Sequence, residues 1–276
     1  MKKTKITFIG GGHMAASLIG GLIADHVPPA QLCASDPESE RLSQLAAQFG
    51  IRTTTDNAEC IADADVVVLA VKPQILHAVC TSLAATLPPG MLIISVAAGV
   101  RSQAIARWLG KQQAAVVRAM PNTPALLQSG ATGLYASPAV SEQQRDLAES
   151  ILRATGLTVW LDDEAQLDTV TALSGSGPAY FFRIMEALEQ AAVELGLSER
   201  KAHLLTLQTA LGAAKMAIES SESVSVLRKR VTSPGGTTEQ GLHVLEEADI
   251  DALMKRVLTA AHERAEELAR LLEETP

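Results

Sequence analysis

Short apolar runs alternate with helix-like periodicities through the first half of the chain. Continuous runs such as Val66 to Val71 are typical of strands buried on both faces of a parallel sheet. Between the runs, apolar residues recur at helical spacing, as at Met14, Leu18 and Leu22. Strands are predicted at 5–9, 31–35, 64–71 and 91–96, and more weakly at 116–117. This alternation predicts an α/β fold with a doubly wound parallel sheet.

The pattern changes after Asp163, where strand-like runs end and helical periodicity takes over. A break between the first and second helices is expected at Gly175, Gly177 and Pro178. The second helix is expected to end at Gly196, as a C′ glycine. Helices are predicted at 164–173, 179–195, 199–219, 224–231, 239–247 and 249–274. We therefore predict two closely packed domains, an α/β domain over 1–163 and an all-α domain over 164–276.

The second half contains more Leu and Ala than one thin layer of helices can bury. This excess favours a homodimer with interleaved helices, so the second domain is predicted to be a dimerisation domain. A monomeric helical bundle is the alternative.

Composition and charge narrow the class of protein. The 276 residues carry a formal net charge of −8, which argues against nucleic acid or an acidic membrane as the main partner. Three cysteines without a CxxC pair favour a reduced, cytoplasmic location. Lys2, Lys3 and Lys5 before the uncharged segment 6–24 resemble a targeting segment. Because glycines interrupt that segment, a strand, a turn and a helix fit it better.

The turn after the first strand carries a dinucleotide-binding fingerprint. Gly10-x-Gly12-x-x-Ala15 lies between a predicted strand and a predicted helix, which is the context that the motif requires. Its glycines allow a tight turn and a close approach of the pyrophosphate. We expect a Rossmann-type domain whose first cofactor contacts are the residues of this turn: Gly10, Gly11, Gly12, His13 and Met14. A plain glycine-rich turn is the alternative.

The end of the second strand bears on the choice between NADP and NAD. Asp36 lies where an acid would accept a hydrogen bond from the ribose 2′-hydroxyl of NAD and repel the 2′-phosphate of NADP. Ser35 and Arg41 would instead suit the phosphate. Asp36 is also a candidate helix N-cap without any cofactor contact. Sequence leaves the preference open, and Asn57 is added as a further candidate contact.

Two later turns should face the same cofactor, because ligands of such sheets lie beyond the carboxyl ends of the strands. One contains Ala70, Val71, Lys72 and Pro73, although Pro73 also suits the first position of a helix. The other contains the small residues Ala97 and Ala98.

A helix-breaking stretch, Ser233-Pro234-Gly235-Gly236-Thr237-Thr238, stands out in the helical half. Thr237 and Gln240 form a capping-box pattern, so a helix should begin here and leave free backbone N–H groups that suit a small carboxylate. An ordinary helix-loop-helix turn is the alternative. The sequence has no Ser-His-Asp grouping, metal-ligand spacing or Walker loop, so no metal is expected.

Taken together, these motifs resemble those of the pyrroline-5-carboxylate reductase family. The matching segments are 8–15, 70–73, 95–99, 120–124, 173–180 and 231–238, in the order of the family and over nearly the whole length. Because many relatives use NADPH, Asp36 is a departure, and NAD is a second possible cofactor.

The resemblance implies reduction of the cyclic imine 1-pyrroline-5-carboxylate to L-proline by hydride transfer, within a homodimer or a larger ring of dimers. It implies that the Thr238 hydroxyl donates to the imine nitrogen, and that Ser233 with the N–H groups of Gly236 and Thr237 holds the carboxylate. Glu164 matches a family position near the substrate, and a first-turn helix acid is its other interpretation. A β-hydroxyacid-type dehydrogenase is the main rival, but Lys201 and Lys215 lack the expected context for its catalytic lysine.

Overall fold

An eight-stranded sheet forms the centre of this computed structural model, which describes residues 4–274. The strands lie in the order β3-β2-β1-β4-β5-β6-β7-β8. In chain order they are β1 (Ile6–Ile9), β2 (Leu32–Ser35), β3 (Arg52–Thr54), β4 (Val66–Leu69), β5 (Leu92–Ser95), β6 (Ala115–Met120), β7 (Gly130–Ala136) and β8 (Gly156–Trp160).

Helices cover both faces of the sheet, as the doubly wound prediction requires. Val66 and Val68 of β4 belong to the apolar core on one face, whereas Val67 and Leu69 belong to the core on the other face. Burial on both faces explains the continuous apolar runs of the sequence. The helices of this region are α1 (His13–Ala24), α2 (Ser39–Phe49), α3 (Asn57–Ile61), α4 (Pro73–Leu83), α5 (Ser102–Trp108), α6 (Glu142–Arg153) and α7 (Gln166–Val170).

One pair of strands departs from the parallel prediction. β7 runs antiparallel to β6, with Met120 opposite Gly133, and every other neighbouring pair is parallel. The connection from β6 to β7 holds only a 3₁₀ turn, Thr123–Leu127. It is too short for the crossover helix that a parallel pair needs. The α/β fold class is confirmed, with a mostly parallel sheet.

Several elements were missing from the sequence-based prediction: β3, β7, β8, α3, α5 and α6. β7 contains Gly130 and Gly133, which weaken a strand pattern. β8 is an edge strand on which Leu157 and Val159 are exposed, so its polarity does not alternate in the expected way.

Five helices follow: α8 (Gly177–Glu194), α9 (Glu199–Glu219), α10 (Val224–Arg230), α11 (Thr237–Glu247) and α12 (Ile250–Glu274). Gly196 has φ +104° after α8, which confirms the predicted glycine stop. By its contacts the chain forms two compact units. One unit is made of two segments, the residues up to Ser176 and those from Ala260 onward. The other unit runs from Gly177 to Thr259.

The predicted break between the first two helices is narrow and lies at Ser176, between Gly175 and Gly177. Thr171–Gly175 continues α7 as a π-helical turn, and only Ser176 separates this turn from α8. The Asn122 side chain supports the turn, because its Nδ2 donates to the Ser174 carbonyl at 3.0 Å. Short π-helical segments occur frequently at functional sites.

The unit formed by residues 177–259 buries little of its own apolar surface. Ala202 is the only apolar side chain described in this unit that is fully buried. Phe181 and Phe182 are each 64% exposed, and Leu195 is 89% exposed. Such an apolar surface needs a cover in the assembled protein.

The C-terminal part of α12 belongs to the first unit. Ala265 and Ala269 are buried there, and a Cβ added to Gly99 would lie 3.5 Å from the Ala269 backbone. The end of α12 therefore packs beside the turn that follows β5.

No helix among residues 4–274 combines the length and the apolar character needed to cross a membrane. Lys2 and Lys3, which belong to the basic N-terminal pattern, lie outside the described residues.

Candidate active site

The carboxyl ends of β1, β4 and β5 bring the predicted cofactor turns to one edge of the sheet. The strand order reverses between β1 and β4, and such a reversal opens the crevice in which doubly wound folds bind dinucleotides. Backbone hydrogen bonds fix the turns: Gly10 N–H donates to the Ser35 carbonyl at 2.8 Å, and Ala70 N–H donates to the Ile9 carbonyl at 2.8 Å. Residues 10–14, 70–73 and 95–99 thus lie along one edge.

The three glycines of the first turn differ in how strongly the fold requires a residue without a Cβ. Gly10 has φ +102°, and a Cβ there would lie 2.5 Å from the Ala70 carbonyl oxygen. A Cβ at Gly11 would crowd Leu45 at 3.1 Å. Gly12 has φ −73° and nothing within 4 Å of an added Cβ, so the fold itself does not require glycine there. Open space at the start of α1 suits a pyrophosphate, which needs close approach to the backbone.

The residues after the glycines divide between surface and core. His13 opens α1 and is exposed, whereas Met14 is half-buried against the core. Ala15 is fully buried, in agreement with the close helix–strand packing expected of the third position of the motif.

Asp36 holds the glycine turn in place. Its Oδ2 accepts a hydrogen bond from Gly11 N–H at 2.8 Å, and its Oδ1 accepts one from Glu38 N–H at 2.9 Å. Arg41 lies 3.7 Å from Oδ2 and forms a second ion pair with Glu38 at 2.9 Å. The N-cap of α2 is Glu38, so the N-cap interpretation of Asp36 is wrong. Because Asp36 is 5% exposed, its carboxylate serves chiefly to order the turn.

Ser35 is not available to a cofactor phosphate in this structure. It is fully buried, and its hydroxyl donates to Asn57 Oδ1 at 2.6 Å. Asn57, the first residue of α3, is only half-buried. Of these two predicted contacts, only Asn57 has a side chain that reaches the surface.

The turns after β4 and β5 keep their predicted places. Lys72 is the N-cap of α4 and Pro73 is its first residue, which agrees with the simple helix-start interpretation of Pro73. Ala70 and Val71 are half-buried at the edge of the sheet. After β5, Ala97 is buried and Ala98 is half-buried.

Glu164 lies in a network of charges rather than in a helix. α7 begins at Gln166, so the interpretation of Glu164 as a first-turn helix acid is wrong. Its Oε1 accepts from Ser102 N–H at 2.6 Å and from Arg118 at 3.0 Å, and its Oε2 accepts from the Ser102 hydroxyl at 3.0 Å. Both carboxylate oxygens are therefore engaged, and a substrate contact by Glu164 stays a prediction.

Arg101 and Asp168 extend this network. Arg101 donates to the Glu164 carbonyl at 3.2 Å and pairs with Asp168 at 2.7 Å. Burial lowers the pKa of Arg118, and the neighbouring Glu164 carboxylate opposes that shift. The sequence reasoning missed Arg101, Arg118 and Asp168. The one available signal was the charge of Arg118 within the apolar run of β6.

The stretch from Ser233 to Thr238 forms a tight turn that leads into a helix. Gly236 N–H donates to the Ser233 carbonyl at 2.9 Å, and Gly235 has φ +70°. Proline at the second position and a left-handed glycine at the third are the signature of a type II turn. Gly235 N–H donates to the Glu239 side chain at 2.8 Å, which ties the turn to the first turn of α11.

Two predictions about this stretch need correction. The capping box of Thr237 and Gln240 does not form, because α11 begins at Thr237 with Gly236 as its N-cap and without a side-chain cap. The Gly236 N–H is used within the turn, so it is not free for a carboxylate. The N–H groups of Thr237 and Thr238 precede the first intrahelical bond and remain directed out of the helix N-terminus.

The doubly wound sheet and the glycine turn at its point of reversal define a dinucleotide-binding protein. A family model described as "NADP oxidoreductase coenzyme F420-dependent" matches residues 5–99, and one described as "Pyrroline-5-carboxylate reductase dimerisation" matches residues 164–268. A pyrroline-5-carboxylate reductase of Pseudomonas aeruginosa is 54% identical over 272 residues, with 99% of each chain covered. One of Vibrio alginolyticus is 40% identical, with 98% of this chain and 100% of the relative covered. The chain belongs to the pyrroline-5-carboxylate reductase family.

Solved structures agree with this assignment. A pyrroline-5-carboxylate reductase of Coxiella burnetii superposes with a TM-score of 0.93 at 50% identity, covering 97% of this chain and 99% of that chain. A pyrroline carboxylate reductase of Plasmodium falciparum with NADP bound has a TM-score of 0.85 at 28% identity, with coverage of 98% and 99%. The family and the dimerisation match support self-association of the protein.

Proposed function

We propose that this protein reduces 1-pyrroline-5-carboxylate to L-proline, with NADPH as the preferred hydride donor and NADH as a second one. Full-length similarity to pyrroline-5-carboxylate reductases carries this proposal. The open space in front of Gly12 supports it, since a pyrophosphate needs such an approach to the backbone.

When bound, reduced nicotinamide supplies the hydride that adds to the imine carbon. Protonation of the imine nitrogen makes that carbon electrophilic, so the protein mainly has to position the substrate. In our proposal the Thr238 hydroxyl donates a hydrogen bond to the nitrogen lone pair that develops as the hydride adds to the protonated imine. A threonine hydroxyl is too weak an acid to act as a general acid at neutral pH, so orientation is its task.

The substrate carboxylate is proposed to bind at the start of α11. The backbone N–H groups of Thr237 and Thr238 precede the first intrahelical bond, and the helix dipole favours an anion there. The Ser233 hydroxyl is the third proposed donor. The Gly236 N–H is left out because it closes the turn.

The preference for NADPH rests on Arg41. Asp36 uses both of its oxygens within the protein, so it presents little free carboxylate to a 2′-phosphate. Arg41 is half-exposed beside it and can exchange its ion pair with Glu38 for one with the phosphate. Asn57 is proposed as a neighbouring polar contact.

The experiment follows the absorbance of reduced nicotinamide with 1-pyrroline-5-carboxylate and each cofactor in turn. We expect turnover with both cofactors and a higher kcat/KM with NADPH. Arg41→Ala should raise the KM for NADPH by about tenfold and leave the KM for NADH unchanged, because one charge-assisted phosphate contact is lost. Exposed Arg107 at the end of α5 provides the control Arg107→Ala. Absence of turnover with both cofactors would refute the proposal.

We also propose that the boundary between the cofactor-binding domain and the dimerisation domain lies between residues 163 and 164, where the match to the dimerisation family model begins. We further propose a cytoplasmic location, which suits the free and buried cysteines Cys33, Cys60 and Cys80.

A further inference from the structure

One carboxylate, that of Glu164, contacts the start of α5 just after the β5–α5 connection and the strand that lies beside the end of β5. This connection, residues 96–101, will be called the β5–α5 turn. It leads into Ser102, the first residue of α5, whose N–H and hydroxyl both donate to Glu164. Arg101, the N-cap residue, makes no side-chain cap of its own, so Glu164 caps α5 from a distant part of the chain.

The same carboxylate also contacts the strand next to the beginning of the turn. Arg118 of β6 lies opposite Ser95, the last residue of β5, in the parallel pairing of the two strands. The guanidinium of Arg118 is 4% exposed and donates to Glu164 at 3.0 Å. Glu164 therefore links the strand position beside the start of the turn to the helix position at its end.

Arg118 depends on this link. Its Nε is buried and has no hydrogen-bond partner among the described residues, and the carboxylate of Glu164 is its only ion-pair partner within 4 Å there. A buried charge that loses its partner is strongly unfavourable. Loss of the Glu164 charge should therefore displace Arg118 together with Ser95 and the adjoining turn.

We propose that Glu164 is a positioning residue for the nicotinamide end of the cofactor site, acting through the β5–α5 turn. This inference rests on the proposed function, which places the cofactor along the carboxyl edge of the sheet. β5 belongs to the second mononucleotide-binding half of a doubly wound fold, whereas the adenosine ribose is read at the end of β2. The turn carries Ala97 and Ala98, whose small side chains let a ring approach.

The test compares Glu164→Gln with Asp162→Asn, which removes one carboxylate charge at an exposed position two residues away. Affinity is measured for NADPH and for adenosine 2′,5′-bisphosphate, a fragment without the nicotinamide end. Glu164→Gln should weaken NADPH binding by about tenfold, on the scale of a lost helix cap, and leave the fragment affinity unchanged. Asp162→Asn should match the wild type for both ligands.

In a folded Glu164→Gln, equal weakening of both ligands would overturn the inference, as would wild-type affinity for NADPH. If that variant does not fold, the double variant Glu164→Met with Arg118→Met removes both charges at once and should show the same selective loss. Failure of the wild type to bind NADPH would instead contradict the proposed function.

Discussion

At the scale of single residues, Gly10 and Gly12 show how one motif serves two purposes. Gly10 is required by the fold, since its φ of +102° and the nearby Ala70 carbonyl leave no room for a Cβ. Gly12 meets neither constraint. We propose that a ligand approaching the backbone accounts for glycine at this position, and the two positions can be separated by experiment.

Gly12→Ala should leave the free energy of unfolding within about 1 kcal/mol of the wild type, because the added methyl meets open space. The same methyl should obstruct the pyrophosphate and weaken NADPH binding by about tenfold or more. Fluorescence titration with NADPH and urea unfolding measure the two effects. Gly10→Ala is the contrasting variant and should lose stability as well. A Gly12→Ala protein that binds NADPH normally would contradict this explanation.

Thr238→Ala should lower turnover and change NADPH affinity little, because the hydroxyl is proposed to orient the imine nitrogen. Steady-state kinetics should show a fall in kcat of about tenfold to a hundredfold, the size of a lost positioning hydrogen bond. Thr238→Ser keeps the hydroxyl and should retain most of the activity. Unchanged turnover in Thr238→Ala would rule out the role of Thr238.

The buried thiol of Cys80 should make the free energy of unfolding depend on pH in the alkaline range. Burial raises the pKa of its thiol from an ordinary 9.0 to about 12. Between these values the unfolded chain loses the thiol proton and the folded chain keeps it, so the free energy of unfolding falls as pH rises. Relative to Cys80→Ala, the wild type should lose about 1 kcal/mol between pH 9 and pH 10. Unfolding of both proteins in urea at pH 7, 9 and 10 checks this, and a constant difference would contradict it.

Turns could be predicted where the residues that form them are neighbours in the sequence. The glycine turn and the turn at Gly235 follow from neighbouring residues, and both occupy the predicted elements. The partners of Glu164 were not predictable, because Ser102 and Arg118 are 62 and 46 positions away. Only the packed sheet brings these groups together.

At the scale of elements, the pairing of β7 with β8 depends on two glycines that face each other. Gly130 is the register partner of Gly156, which has φ +141°. A Cβ at Gly156 would lie 2.1 Å from the Gly130 carbonyl oxygen. The two backbones therefore approach more closely than any side chain at position 156 would allow.

Gly156→Ala should lower the free energy of unfolding by about 2–4 kcal/mol, because it combines backbone strain with a backbone clash. Gly90→Ala is the matched control: φ is +76° there, but nothing lies within 4 Å of the added Cβ. Gly90→Ala should lower the free energy of unfolding by about 1–2 kcal/mol, because the left-handed conformation alone opposes it. Urea unfolding compares them, and equal losses would show that the clash is unimportant.

The same elements show why parts of the sheet were missed by the sequence prediction. β1, β4 and β5 are buried on both faces and therefore appear as apolar runs. β7 and β8 lie toward one edge, and their glycines and exposed apolar residues do not form such a run. The long helices α9 and α12 were placed to within one residue.

At the scale of the whole molecule, the exposed apolar surface of residues 177–259 indicates what self-association must bury. Leu204 and Leu211 are two turns apart on α9 and are 56% and 61% exposed. Their spacing places them on one face of the helix. The excess of Leu in the sequence predicted such a surface but did not show which residues form it.

Replacing Leu204 and Leu211 together by Glu should weaken the assembly by on the order of a hundredfold, because two charges would have to be buried at an apolar interface. Sedimentation over a range of protein concentrations measures this change. Gln143→Glu adds a charge on the exposed surface of α6 and is the control. An unchanged assembly in the double variant would show that this face of α9 lies outside the interface.

The course of α12 has a consequence for synthesis of the chain on the ribosome. The unit of residues 177–259 is contiguous, whereas the unit that starts the chain is completed only by the residues from Ala260 onward. Domains generally fold as they emerge, beginning with the N-terminal one. Here the sheet emerges first, yet Gly99 gains its neighbour Ala269 only when the last helix has left the ribosome. A transcript cut short before α12 would thus yield a protein whose first unit is the unfinished one.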